Sequence, residues 1–246
     1  MQTHLRTACI AIHITLAITT IAFAQQPPPP PKAREAKAEF ALVSTSGNAS
    51  AQSIGAAGQV IFRPPQWELE GQTAFIRNEA EDVVRAKSFA VRGRAGRVLT
   101  TRLQAFGQHS YLRDLFSGVE HRNLTEGGLS YLLIQTGRNT LYGDAGLGYL
   151  KERRTVGVSL STPTAGTGAR YKLRLSETSD ITDDLLMSFD LSDEGTWRLQ
   201  HAIALTAKVA APLSLKVSNL LRYVDEPVAG FEQTDTITSA ALVLSF

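Results

Sequence analysis

The chain has almost no cysteine and almost no net charge. Its 246 residues include one cysteine, Cys9, and 25 basic against 23 acidic residues give a formal net charge of +2. A disulfide framework or a thiolate zinc site needs several thiols, so both are excluded. Because Cys9 lies in a segment that we predict to be removed, a cysteine nucleophile is excluded as well. The balanced charge leaves no basic surplus for a phosphate backbone, which argues against nucleic-acid binding.

The sequence also lacks a long hydrophobic run beyond its N-terminus, so a helical membrane protein is excluded. Residues 1–24 contain one basic residue, Arg6, and end on Ala22-Phe23-Ala24. A basic start, an apolar stretch and an A-x-A end predict a cleaved secretory signal peptide. A transmembrane anchor is the alternative, but threonines dilute the apolar stretch and five prolines follow it. We interpret residues 25–38, proline-rich and then small and charged, as a periplasmic tether, and residues 39–246 as one domain.

Within residues 39–246, apolar side chains recur at every second position, as in strands with one apolar and one polar face. Clear examples are Leu129, Tyr131 and Leu133, and later Leu213, Leu215 and Val217. The segments are about ten to fourteen residues long, which exceeds most soluble strands and suits a tilted membrane span. A soluble β-sandwich is the alternative. Short connections alternate with longer ones, which favours the barrel.

The predicted fold is therefore all-β: a single antiparallel transmembrane β-barrel of about 12 strands with periplasmic N and C termini. Two details belong to this prediction. Residues 153–168 are expected to form a long polar loop, and residues 182–184 a tight turn before a short strand at 184–191. The export signal and the barrel together predict the bacterial outer membrane, with its lipid and lipopolysaccharide as surroundings.

The end of the chain provides the most specific local pattern. Leu242, Leu244 and Phe246 alternate with smaller residues, and Phe246 is the last residue of the sequence. This resembles the terminal signal that the barrel assembly machinery reads, so that machinery is the expected partner.

Several stretches resemble the YdiY-like salt-induced outer-membrane proteins, the family of domain of unknown function 481. The similar stretches are Ser46-Gly47-Asn48 and residues 141–149, 205–208, 212–218, 230–236 and 243–246. The resemblance implies an outer-membrane barrel of uncharacterised role, and the family name suggests a link to osmotic or salt stress. It implies no catalytic or ligand-binding residues and no cofactor.

Charged side chains on the polar face are the candidate functional residues. The predicted lumen-lining set is Glu68, Glu70, Arg92, Arg94, Glu126, Asp144, Lys172, Arg174, Arg198, Lys208, Lys216 and Arg222. One interpretation is a salt-bridged plug that fills and rigidifies the barrel. The other is a narrow water-filled pore, in which eight basic against four acidic side chains would favour anions. The expected function is a structural envelope protein or a narrow passive conduit.

Three other function classes are alternatives: a hydrolase, a metal-binding protein and a surface adhesion protein. A hydrolase would use His109 and His121, which flank a segment with Asp114, Ser117 and Glu120, but no catalytic motif such as G-x-S-x-G is present. A surface metal site would use Glu79, Glu81 and Asp82, although a solvated loop tip is the simpler reading, so no metal is predicted. A surface adhesion protein would use residues 153–168, which contain no aromatic patch. We therefore predict a protein that is not an enzyme.

Overall fold

The protein is described here by a computed structural model, which covers residues 32–46, 51–80, 83–192 and 196–246. Within these ranges the chain forms twelve strands and no helix. The strands are β1 (Arg34–Ser46), β2 (Ala51–Phe62), β3 (Trp67–Ala80), β4 (Val83–Val98), β5 (Leu103–Asp114), β6 (Val119–Gln135), β7 (Asn139–Arg154), β8 (Leu160–Arg174), β9 (Ser179–Asp190), β10 (Trp197–Ala210), β11 (Leu213–Val224) and β12 (Thr234–Ser245). No helix in the described residues is long and apolar enough to cross a membrane.

Each strand pairs antiparallel with its neighbours in sequence, and β1 pairs with β12 to close the barrel. This confirms the predicted all-β class, the antiparallel barrel and the strand number. At the closing pair the backbone of Phe246 bonds that of Ala36 in both directions, at 3.2 and 2.9 Å. Both ends of the described chain lie at the same end of the barrel, together with the connections 63–66, 99–102, 136–138, 175–178 and 211–212. We call this the turn end and the opposite end the loop end.

The barrel buries polar side chains and exposes apolar ones. Along β5, for example, Gln108 and Asp114 on the inner face are buried, whereas His109 on the opposite face is exposed. The outer face carries large exposed apolar side chains, among them Phe40, Leu42, Val60, Leu129, Leu133, Leu147, Leu205, Val217 and Leu242. In water this arrangement would forfeit the hydrophobic stabilisation that folds a soluble domain.

Aromatic side chains on the outer face lie at two levels. Trp67, Tyr131 and Tyr171 lie near the turn end, and Phe75, Tyr149, Trp197 and Tyr223 lie near the loop end. Trp197 and Tyr223 contact each other with ring centroids 4.7 Å apart. The guanidinium of Arg97 lies 5.8 Å from the Trp67 ring centre.

Glycines let the central strands approach closely on one side of the barrel. A Cβ on Gly128 would lie 2.2 Å from the Ala145 carbonyl oxygen, and one on Gly146 would lie 2.6 Å from the Gly127 carbonyl oxygen. Both obstacles are backbone atoms, so a side chain at either position would force β6 and β7 apart.

Three predicted boundaries differ from the structure. The expected loop at 153–168 is wrong, because β8 begins at Leu160 and the connection is only 155–159. The expected turn at 182–184 is wrong as well, since β9 begins at Ser179 and the turn is 175–178. In both places small, hydroxyl and acidic residues occupy the outer face and hide the apolar alternation. Strand β1 begins at Arg34, within the segment that we interpreted as a tether. Its charged residues, such as Lys37 and Glu39, continue the inner face of the strand whose outer face carries Phe40, and so they belong to the barrel.

Candidate functional site in the lumen

A chain of polar contacts crosses the inner wall at mid-height. The Arg92 guanidinium donates to the Gln108 side-chain oxygen at 2.7 Å, and the Gln108 amide donates to Glu126 at 2.5 Å. Arg94 donates to the same Gln108 oxygen at 3.3 Å. Its guanidinium also covers the face of Phe106, 3.8 Å from the ring centre. Arginine and carboxylate are therefore linked through an uncharged amide.

The contacts continue along the wall through Asp144. This carboxylate lies 3.4 Å from the Arg94 guanidinium and 3.0 Å from that of Arg170. Arg170 also donates to the Ser130 hydroxyl at 3.0 Å. We call Arg92, Arg94, Gln108, Glu126, Asp144 and Arg170 the mid-lumen network. It joins five successive strands, β4 to β8.

Strand register and glycine positions explain why these side chains meet. Residue Gln108 lies opposite Arg94 on one side and opposite Glu126 on the other. Glu126 lies flat along the wall because its neighbours there are glycines. A Cβ on Gly148 would be 2.6 Å from the Glu126 Cγ, and one on Gly166 would be 2.9 Å from its Oε1.

The loop end is spanned by segments from opposite sides of the barrel. Asp114 at the end of β5 pairs with Arg222 on β11. Beside this pair, Phe116, Val119 and Val228 are buried. We call residues 114–119 and 222–231 the cap.

A glycine, Gly118, allows the two segments of the cap to pack closely. Gly118 has a φ of +69°, and a Cβ there would lie 2.6 Å from the Phe231 ring. Arg154 on β7 contacts the cap segment 222–231 by donating to the Glu226 carbonyl oxygen at 3.2 Å. Only glycine combines this backbone conformation with the close contact.

Below the cap, Glu152 is 2% exposed and accepts from two arginines, Arg122 at 2.5 Å and Arg154 at 2.8 Å. On β10, three strands away from β7, Arg198 is also buried. The upper lumen therefore holds several guanidinium groups in a water-poor environment.

The turn end has its own ion pairs. Arg63 lies 2.6 Å from Glu35 and 2.7 Å from Glu68, and Lys216 lies 2.9 Å from Glu39. Burial alone would lower the pKa of Arg63, but the hydrogen bonds with Glu68 and Glu35 outweigh it and raise that pKa above its ordinary value.

The structure distributes the predicted lumen residues along the whole inner wall. Those in or next to the mid-lumen network are Glu70, Arg92, Arg94, Glu126 and Asp144. Those near the cap are Arg198 and Arg222, and those near the turn end are Glu68, Lys172, Arg174, Lys208 and Lys216.

Several acidic partners escaped the sequence analysis. Glu39, Asp114, Glu152 and Asp180 each pair with a predicted or neighbouring basic residue. They reduce the excess of positive charge on which the predicted anion preference was based. Arg170 was also missed, although the alternation that runs through Lys172 and Arg174 includes it.

The residues of the hydrolase alternative do not converge. His109 and His121 lie on the outer face, where they bond Thr125 at 2.9 Å and Tyr111 at 2.8 Å. Asp114 points the other way, into the lumen, and pairs with Arg222.

The metal and adhesion alternatives also gain no support. The described residues contain no group of three or more metal-ligating side chains. The side chains of Glu79, Glu81 and Asp82 lie outside the described part of the chain. Most of the segment 153–168, the expected adhesive loop, belongs to the barrel wall.

The family model described as "Protein of unknown function, DUF481" matches residues 38–246. The chain belongs to this family. The match covers nearly the whole barrel as the structure describes it, and it confirms the resemblance to the family of domain of unknown function 481. Among curated proteins, none matches this sequence.

Solved structures show the same fold at low sequence identity. The NanC porin is 9% identical, with a TM-score of 0.56 over 84% of this chain and 98% of its own. An outer-membrane channel from Pseudomonas putida F1 is 7% identical, with a TM-score of 0.51 over 88% of this chain and 96% of its own. At this identity the likeness concerns the architecture of the DUF481 barrel.

Proposed function

We propose that the protein spans the bacterial outer membrane and acts as a narrow passive conduit for ions or small solutes. The observation that supports this most directly is the mid-lumen network, a charged and hydrogen-bonding wall enclosed by an apolar exterior. Side chains of this kind stabilise hydrated ions and polar solutes inside a pore. The fold shared with proteins named as a porin and a channel agrees with the proposal.

The proposed orientation places the turn end and both termini in the periplasm and the loop end outside, beside lipopolysaccharide. The two levels of outer aromatic side chains would then lie at the two membrane interfaces. Leu242, Leu244 and Phe246 all face outward on or beside β12, at 51%, 41% and 70% exposure. In that position they are accessible to the barrel assembly machinery before the protein meets lipid.

Two features restrict what can pass through the lumen, one by its charge pattern and one by its size. The mid-lumen network places arginines beside carboxylates on one side of the wall, which creates a transverse electric field rather than a uniform charge. The cap crosses the loop end above it. We therefore expect small conductance steps and weak charge selectivity.

Planar-bilayer conductance of the refolded mature protein tests the proposal. Arg92→Ala/Arg94→Ala should raise the conductance, because two long side chains leave the lumen, and should shift selectivity away from anions in asymmetric salt. The matched control is Lys151→Ala/Arg153→Ala, which removes the same charge from the outer face and should leave both properties unchanged.

A protein that inserts yet stays silent in the wild type, in the arginine variant and in a variant with a loosened cap would overturn the conduit. Loosening the cap with Phe116→Ala/Val228→Ala separates two causes of silence. If the loosened variant conducts, the barrel is a gated conduit. If it also stays silent, the barrel is a plugged structural element, which is the second function that the cap and its ion pairs favour.

A further inference from the structure

We propose that Arg198 and Arg222 bind a small soluble anion, a phosphate or a carboxylate, beneath the cap. The proposal goes beyond the conduit and does not depend on it, since a closed barrel could hold the same anion.

The first observation is the isolation of the Arg198 guanidinium. Arg198 lies on the inner face of β10 and is only 9% exposed. Its Nε, Nη1 and Nη2 are all buried, and none has a hydrogen-bond partner among the described residues. A buried charge without partners is costly, so proteins pair such groups with an opposite charge.

The neighbouring carboxylates are already engaged elsewhere. Arg122, Glu152, Arg154 and Asp190 are the described charged groups that act most strongly on Arg198. Glu152 accepts from Arg122 and Arg154 at 2.5 and 2.8 Å. One Asp190 oxygen accepts from the Thr162 hydroxyl and, at 2.9 Å, from the Ser192 backbone. In the part of the chain that the structure describes, neither carboxylate is within ion-pair distance of Arg198.

Arg222 supplies a second set of donors beside the first. On the paired strands β10 and β11, Gln200 lies opposite Arg222, so Arg198 is its diagonal neighbour. Side chains in this relationship are within reach of each other when they are long. The Arg222 Nη1 binds Asp114, but its Nε is buried without a partner among the described residues.

The chemistry of these donors selects the ligand class. A guanidinium presents its N–H groups in a planar fork that matches the oxygens of carboxylate and phosphate. Among the described residues around the site, the arginines are Arg122, Arg154, Arg198 and Arg222, and the carboxylates are Asp114, Glu152, Asp190 and, opposite Arg222 on β12, Asp235. An anion from outside the protein would supply the partner that the Arg198 guanidinium lacks among the described residues. The cap side chains Phe116 and Val228 are buried at the same end of the barrel, so the proposed ligand is a free ion rather than a lipid headgroup.

The test is a calorimetric titration of the refolded full barrel in detergent, with inorganic phosphate and, separately, acetate. The wild type should bind at least one of these ions saturably. Arg198→Gln should weaken that binding about tenfold or more, because charge-assisted hydrogen bonds are lost. Arg198→Lys should recover only part of the lost binding, since lysine restores the positive charge but not the planar set of guanidinium donors. Arg138→Gln, at an exposed turn at the other end of the barrel, changes the net charge equally and should bind like the wild type.

Far-UV circular dichroism of each variant shows that the barrel has formed before binding is compared. The proposal is overturned if the wild type binds neither ion, or if Arg198→Gln binds as well as the wild type. A third variant, Asp193→Asn/Glu194→Gln, tests the acidic pair that precedes Arg198 in the sequence. Binding that is absent in the wild type and arises only in this variant would show that the protein neutralises Arg198 itself, which also overturns the proposal.

Discussion

Asp114 and Arg222 form an ion pair across the lumen, between strands that are six places apart around the barrel. The Asp114 side chain is 2% exposed and that of Arg222 18%. The pair ties the two halves of the barrel together at the loop end, beside the buried side chains of the cap.

Asp114→Asn should destabilise the barrel, because it leaves the Arg222 charge buried without its partner. We expect a loss of about 3 kcal/mol in the free energy of unfolding, measured by urea unfolding in vesicles. Glu120→Gln is the control, since Glu120 pairs with Arg153 at 2.8 Å where the side chains are 34% and 68% exposed. That change should cost less than about 1 kcal/mol. Equal effects of the two variants would contradict a special role for the cross-lumen pair.

Gly128→Ala should prevent β6 and β7 from pairing normally. The added Cβ would lie 2.2 Å from the Ala145 carbonyl oxygen, which cannot move without the strand. We expect a large loss of refolding yield, which is measured by the mobility of unheated samples in SDS gels. Gly93→Ala is the matched control, because it also lies within a strand and a Cβ there has no atom within 4 Å. A normal yield for Gly128→Ala would show that the barrel widens at this pair.

Asp183 and His201 test whether the outer face contacts lipid. They pair at 2.8 Å on that face, with side chains 38% and 37% exposed. Ionisable groups that face lipid are costly, so Asp183→Leu/His201→Leu should raise the free energy of unfolding in vesicles by about 1 kcal/mol. A destabilised double variant would instead indicate that protein or water covers this part of the wall.

The spacing of the outer aromatic side chains predicts a preferred membrane thickness. Trp67 and Phe75 lie at opposite ends of the apolar band on β3, eight residues apart. For strands tilted by about 40°, this separation corresponds to roughly 20 Å along the barrel axis. Refolding yield across phosphatidylcholine vesicles of increasing chain length should therefore peak in thin bilayers. A peak in the thickest bilayers would contradict this assignment of the interfaces.

The barrel was predictable from the sequence because its outer face repeats one simple rule. Along β10 and β11, large apolar residues at every second position mark the outer face. The positions between them therefore face inward, so both the strand and its lumen-facing residues can be predicted. Strand β8 shows the limit of this rule. Its outer residues include Ser161, Ala165 and Thr167, which carry little of the apolar signal, so the segment resembles a loop until its neighbours are known.

The contacts between distant strands could not be predicted in the same way. The alternation of inward and outward side chains places Arg94 and Asp144 in the lumen. They lie on strands three places apart, so their contact depends on the barrel diameter and the strand register. The cap was hidden for a related reason. Asp114 lies at the end of its strand, and its pairing with Arg222 exists only once the barrel has closed.

The pairing of β1 with β12 also has a consequence for how the protein is made. Partners such as Lys37 and Ser245 are separated by roughly 200 residues of chain, so this seam is the most non-local contact in the barrel. The hydrogen-bonding edge of β1 therefore stays open until β12 has been made, because β12 is the strand that pairs with it. Until then the chain presents a free strand edge to any other strand that it meets, so an incomplete barrel is exposed to pairing between chains.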